Sequence, residues 1–250
     1  MSSLKVASPL FFLIAFLSLW EGLVRGLDVP TYILPAPVEI IIDIFSRWSY
    51  LEVHTYVTLG RVLAGFAIGV LGAYGLALIM AYSKPLERGL MPNLVAFRSV
   101  PSVAFVPLLV MWLGFTGWPI ILTASIISFF PVVVNCVTGF NSVDYSIVEM
   151  MNSFAASKWQ IFRYVRIQAC MPYFLSALKI AITLAVIGVV VGEWIGTEAG
   201  LGFLLLLANN YVDTLLLFDA ILLLAIMGTS LYVVTALSES YLLKWREPAL

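Results

Sequence analysis

Apolar residues gather in six runs along this chain, near 9–26, 59–82, 94–113, 119–139, 172–195 and 215–238. Each has the length, about 17 to 25 mostly apolar residues, that a helix needs to cross the hydrocarbon core of a bilayer. The third run is different, because Arg98, Pro101 and Pro107 interrupt it. A proline inside a span frees a carbonyl that neighbouring groups must satisfy. The pattern therefore predicts a kinked or broken helix there.

Two stretches between the runs carry a pattern of their own. Within 28–58, the segment PAPVEIIIDIF places Val38, Ile41, Ile42 and Phe45 at helical spacing, with Glu39 and Asp43 on the other side. That arrangement predicts a short amphipathic helix lying along the membrane surface. Between the fourth and fifth runs, VEMMNSFAASKWQIFRYVRIQACMP looks like the surface of a soluble protein. Ser146-Ile147-Val148-Glu149 and Ser157-Lys158-Trp159-Gln160 both have the form of a capping box, which predicts two short helices and a turn near 154–157. Val148, Met151, Ala155, Trp159 and Phe162 make one apolar stripe if the turn keeps the helical phase, with Lys158, Arg163 and Arg166 off it. The residues alone leave two readings open: an interfacial loop whose cations hold anionic lipid head groups, or a docking surface for a soluble protein, with Met, Trp and Phe as anchors and arginine for carboxylates.

Composition agrees with the runs. The chain of 250 residues is 62% hydrophobic and only 11% charged, too little polar cover for a water-soluble sphere. The formal net charge of −1 gives no reason to propose a nucleic-acid partner. Placement of charge is more informative. With the N-terminus inside, nine cations fall in inner segments (Lys5, Lys84, Arg88, Arg98, Lys158, Arg163, Arg166, Lys244 and Arg246) and two, Arg25 and Arg47, in outer ones. The positive-inside rule then puts both termini in the cytoplasm. The N-terminal run lacks a small-x-small cleavage site, so it reads as a retained span rather than a removed signal peptide. Cys136 and Cys170 have no metal-site spacing and read as small hydrophobes. His54 is the single histidine, so a multi-histidine metal centre is excluded. Gly65 and Gly69, and Gly188, Gly192, Gly196 and Gly200, recur every four residues, as helices do where they approach closely in lipid.

From Arg61 onward the chain resembles the permease subunit of a binding-protein-dependent ABC importer, in the branch that handles nitrate, sulfonates, taurine, bicarbonate and thiamine-pyrimidine precursors. The segments that carry the resemblance are RVLAGFAIGV, SKPLERGLMPNLVAFRSVPSVAFVPLLVMWLG, FFPVVVNCVTGFNSVD, ASKWQIFRYVRI and IGVVVGEWIGTEAGLGFLLL. The resemblance implies an all-α integral membrane protein with six transmembrane helices, the type I ABC importer permease fold, and a cytoplasmic coupling helix-turn-helix between spans four and five. Residues 1–58 would be an N-terminal span with an external amphipathic linker. Residues 59–250 would be the permease core, with the coupling segment at 144–168. The family's coupling motif, E-A-A, three residues, G, nine residues, I-x-L-P, falls here on Glu149, Met150 and Met151, then Ala155, then Val165, Arg166, Ile167 and Gln168. Glu149 and the hydrophobic positions agree; both alanines, the glycine and the proline do not. Alanine at 155 disfavours positive φ, which predicts a looser or differently shaped turn.

By the same resemblance, Glu149, Met151, Phe154, Ala155, Ser157, Lys158, Trp159, Phe162 and Arg163 would meet a cytoplasmic ATPase subunit. ATP and Mg would sit on that partner: this chain has no G-x-x-x-x-G-K-[ST] phosphate loop, and no cofactor is expected on it. The other expected partners are a second permease copy, an extracytoplasmic solute-binding protein and membrane lipid, all at the bacterial cytoplasmic (inner) membrane. For the solute path, Ser128 and Asn135 share a face of the fourth span; Asn135 either offers hydrogen bonds to a solute or bonds a neighbouring helix, the commoner role. Glu193 is an intramembrane carboxylate, costly and therefore a functional candidate; its charge would repel an anion, which assigns it to gating with Arg61 or a backbone N–H, or to structure. Two rival classes fit less well. A secondary transporter needs ionisable groups near the midplane, commonly in repeated halves, and the chain has few of the first and no evident repeat. A membrane-embedded enzyme finds neither HExxH nor GxSxG here; the spacing of Ser176 and Lys179 leaves Ser/Lys chemistry open, but Lys179 reads more simply as a snorkelling cation near the inner end of its span.

Overall fold

The computed structural model describes residues 2–244, with side chains from residue 11. The terminal cations Lys5 and Arg246 lie outside the described side chains, as does the start of the predicted first span. The described secondary structure is helical throughout: α1 (Ser2–Gly26), α2 (Pro37–Ser46), α3 (Trp48–Tyr82), α4 (Lys84–Arg98), a 3-10 turn (Ser102–Ala104), α5 (Phe105–Leu113), α6 (Trp118–Asn141), α7 (Tyr145–Ser153), α8 (Lys158–Ile161), a π turn (Phe162–Arg166), α9 (Ile167–Gly196), α10 (Leu201–Tyr211) and α11 (Thr214–Leu242).

Among the described residues, four helices are long and apolar enough to cross a membrane: α3, α6, α11 and the continuous helix Lys158–Gly196 that joins α8 to α9. The pair Lys84–Arg98 and Ser102–Leu113 makes a fifth if counted as one span, bent by 82°. That bend is the break expected from Pro101, which sits between the halves. α1 covers the N-terminal apolar run.

α6 lies at the centre, between α3 and α9. Small residues set the spacing. A β-carbon on Gly65 would lie 2.6 Å from Ala124 Cβ and 2.9 Å from the Ile121 carbonyl, and one on Gly188 would lie 2.9 Å from Ala124 Cα. Both faces of α6 are thus met by glycine, the close approach expected from the four-residue repeat. Gly200 is the exception. α9 ends at Gly196, and Gly200 stands beyond it at φ 114°, so its role belongs to the loop and not to the helix seam. Cys136 and Cys170 are unpaired and buried, and Cys170 Sγ donates to the Cys136 carbonyl at 3.4 Å.

Several helices differ from the sequence expectation: α4 starts at Lys84, ahead of the run at 94–113, and the helix Lys158–Gly196 starts ahead of the run at 172–195. α3 starts at Trp48, eleven residues before the apolar run at 59–82, so the boundary drawn at 58/59 falls inside one helix. Polar residues in 48–58 lower the hydropathy there without breaking the helix. α2 forms where the periodicity placed it, but its buried face is Ile40 and Ile44, while Val38, Ile41, Ile42 and Phe45 are exposed. The helix is apolar nearly all round, and the side toward the protein is the one that carries Asp43.

Candidate functional site

The helix-turn-helix at 145–161 follows from local chemistry. Ser157 caps α8 in a reciprocal box: the Gln160 backbone N–H donates to Ser157 Oγ at 3.2 Å, and the Ser157 N–H donates to Gln160 Oε1 at 2.7 Å. The other expected box does not form. α7 starts at Tyr145 after Asp144, which places Ser146 inside the first turn. Between the helices Ala155 takes φ 57°. Its N–H bonds the Asn152 carbonyl at 2.9 Å and the Ala156 N–H bonds the Met151 carbonyl at 3.0 Å, the paired bonds of a Schellman turn. The tight left-handed turn therefore forms without glycine, contrary to the looser turn that alanine led us to expect.

The predicted apolar stripe divides in two. Phe154 and Trp159 are 77% and 57% exposed, and Glu149, Ala155, Lys158 and Arg163 are exposed beside them, with Met151 half-buried. Phe162 is only 7% exposed and lies in the core, so it is corrected from a surface contact to an internal one. Phe162 opens the π turn, its N–H still bonded to the Lys158 carbonyl. There it stacks on Phe140 of α6 (centroids 5.7 Å apart), meets Tyr82 of α3 edge-on at 5.9 Å, and stacks under Trp159 at 6.1 Å. A run of rings thus leads from an exposed tryptophan to the ends of both central helices. Sequence reading missed Tyr145 and Met150, which are 75% and 52% exposed on the same motif.

A cavity of about 390 Å³ opens between α4, α6 and α9, lined by Phe97, Arg98, Ser102, Phe105, Phe130 and Asn135 among others. Phe97 stacks on Phe105 at 5.3 Å and lies 5.9 Å from Phe130. Asn135 donates its amide to the Pro131 carbonyl of its own helix at 2.7 Å, rather than to a neighbouring helix, and so keeps its carbonyl as an acceptor at the wall. Ser128 lies elsewhere. It is fully buried, donates to the Ala124 carbonyl at 2.8 Å, and packs where Gly69 has no side chain. Arg98 and Ser102 were not legible as cavity residues, because the bend that turns them inward is a tertiary feature.

Glu193 is 0% exposed and does not line this cavity. Arg61 Nη1 donates to its Oε1 at 2.8 Å, Thr58 Oγ1 lies 3.0 Å from Oε2, and the Gly202 N–H donates to Oε2 at 2.9 Å. Arg61 also donates to the Ala199 carbonyl at 2.7 Å and to Thr197 Oγ1 at 3.1 Å, while the Gly200 N–H donates to His54 Nδ1 at 3.0 Å. Any side chain at Gly200 would run into the Glu193 carboxylate. The ion pair thereby fixes the whole turn from 197 to 202 against α3.

Known proteins resemble the chain over most of its length. The family described as "Binding-protein-dependent transport system inner membrane component" matches residues 65–248. The formylaminopyrimidine transport permease protein ThiX of Halalkalibacterium halodurans is 31% identical, over 98% of each chain. The riboflavin transport system permease protein RibX of Chloroflexus aurantiacus is 33% identical over 93% of this chain and 88% of its own. The putative aliphatic sulfonates transport permease protein SsuC of Escherichia coli is 28% identical over 97% and 92%. Among solved structures, an inward-facing form of the MetNI methionine ABC transporter superposes with a TM-score of 0.68 at 15% identity, over 76% of this chain and 95% of that one.

Proposed function

Since the chain belongs to the binding-protein-dependent transport system inner membrane component family, a family of multi-pass ABC importer permeases, we propose that it pairs with a second copy and is driven by a cytoplasmic ATPase that docks on 144–168. Six spans, with α1 as the first and the α4–α5 pair as the third, put both termini and the helix-turn-helix on the cytoplasmic side, as the distribution of cations requires. The observation that carries the reading is the stack Trp159–Phe162–Phe140. Its outer ring is exposed for a partner, and its inner ring touches the helices that would have to move. An ATPase pair that closes on ATP shifts the permease only through a contact whose energy differs between the two states, and this stack is such a contact. Glu193 and Arg61 act as a latch at the other end, holding the turn 197–202 while the inner end moves.

The solute enters from an external binding protein and passes the cavity beside Arg98 and Asn135. Small anions such as nitrate, sulfonate, taurine or bicarbonate are one class, and pyrimidine precursors another. The lining supports a flat heterocycle with a carbonyl or acidic group: three phenylalanine rings for its face, and a guanidinium, a hydroxyl and an amide carbonyl for its edge. The relatives named for formylaminopyrimidine and riboflavin agree with that chemistry.

The test is to purify the tagged protein from its native host under mild detergent and assay ATP hydrolysis by what accompanies it. The expected result is an ATPase that co-purifies with the wild type and is lost from Trp159→Ala. Equal retention by the mutant would defeat the docking assignment, and absence of any ATPase from both would defeat the coupling itself.

A further inference from the structure

Between α2 and α11 lies a group of charges apart from the cavity and from the helix-turn-helix. Asp219, in the second turn of α11, is 0% exposed, and neither carboxyl oxygen has a hydrogen-bond partner. It faces Asp43 of α2, whose Oδ2 is likewise buried and accepts no hydrogen bond, although Arg47 Nε stands 3.0 Å from it as an ion-pair partner. Arg47 Nε donates to the other oxygen, Asp43 Oδ1, at 3.1 Å, and Arg47 Nη1 donates to Asp213 Oδ2 at 2.8 Å. Arg47 is thus shared between two carboxylates and gives no hydrogen to Asp219. The surroundings are apolar: Ile40 and Ile44 on α2, and Leu216, Ala220 and Leu223 on α11, are buried.

No hydrogen bond reaches Asp219 from the other elements packed on α11, although α1 sets the Trp20 ring 5.8 Å from that of Phe218, with its buried Nε1 also without a partner. α9 brings Lys179 and Glu193, paired with Glu239 and Arg61. α10 brings Asn209, Asn210 and Tyr211, all exposed. On α3, Arg61 is spent on Glu193, and His54 accepts from Gly200. Two facing carboxylates in an apolar contact are disfavoured by desolvation and by like charge together. A metal ion suits the site poorly, since only two carboxylates face each other and a guanidinium already stands beside one of them.

We infer that the Asp43–Asp219 contact is a proton-binding site whose proton seats α2 on α11. Asp219 carries the hydrogen and donates it to Asp43 Oδ2, while Arg47 balances the charge left on Asp43. α2 precedes the residues 65–248 that match the family, so the proton fastens to the permease core a segment that the family match does not include. The sign follows from linkage. The seated pair binds one proton that the separated carboxylates release, so raising the pH weakens the seating until the pair itself has lost the proton.

Hydrogen exchange of the α2 amides tests this in the full-length protein in nanodiscs, from mildly acidic to alkaline pH and corrected for intrinsic exchange rates. The wild type is expected to lose protection at 40–46 by about tenfold per pH unit within that window and then to level off. Asp219→Asn, which donates an amide hydrogen without titrating, is expected to stay protected and flat. A flat wild-type profile, or an unchanged slope in Asp219→Asn, overturns the inference. Infrared spectroscopy needs no variant to fold: a protonated-carboxyl carbonyl band should disappear from the wild type across the same window, and its absence at every pH overturns the inference too. Neither readout involves transport, so both stand apart from the ATPase assignment.

Discussion

Ala155 holds φ at 57°, where a β-carbon costs roughly 1–2 kcal/mol. Ala155→Gly removes that strain and loses part of the gain to the greater freedom of the unfolded chain. A net stabilisation of about 1 kcal/mol is expected, read as a higher thermal midpoint in detergent; a lower midpoint would show that the alanine methyl contributes packing worth more than the strain. At this scale the sequence was legible where one residue acts through its neighbours. Ser157 and Gln160 form the box their spacing foretold. It was not legible where partners are distant. Glu193 stood out as an intramembrane carboxylate, but Thr58 and Arg61 reach it across 135 and 132 positions of chain, and only folding brings them together. Phe162 was misplaced for a related reason: helical spacing puts it on the side of Trp159, as observed, but only folding sets Phe140 and Tyr82 over its ring.

For the elements, spacing between helices is the sensitive quantity. Gly65→Ala would push Cβ to 2.6 Å from Ala124 Cβ and 2.9 Å from a backbone carbonyl, so α3 and α6 must separate. Such overpacking costs about 1–3 kcal/mol, and a drop in thermal midpoint measures it. Gly75→Ala is the matched control on the same helix, because its Cβ would meet nothing within 4 Å; it is expected to leave the midpoint unchanged or raise it. The glycine repeat announced this seam in the sequence, since small residues four apart fall on one face of a helix. The early start of α3 and the inward face of α2 were hidden, because hydropathy records the average surroundings of a segment and not which side meets protein.

For the whole molecule, α2 is tied down by charges that titrate in opposite senses. Burial pushes Asp213 upward, but the Arg47 hydrogen bond, the Leu216 amide and the Arg47 charge outweigh it and hold the carboxyl below its ordinary value. A depressed carboxylate stabilises above its unfolded value and loses that contribution as pH falls through the folded one. Acidification should therefore loosen the Arg47–Asp213 tie, and Asp213→Asn should flatten the acid limb of a stability profile followed by thermal unfolding. The helix-turn-helix at 145–161 is set by geometry of another kind. The Ile167 N–H bonds the Phe162 carbonyl, so the helix from 158 to 196 carries one residue beyond α spacing. Deleting a residue from 162–166 would restore the regular helix and swing Trp159 by about 100° around its axis, with a shift of about 1.5 Å along it. The bundle in the membrane would be unchanged while the exposed face carrying Trp159 pointed elsewhere. On the docking role proposed above, which motor the permease accepts becomes an angular setting held by a single surplus residue.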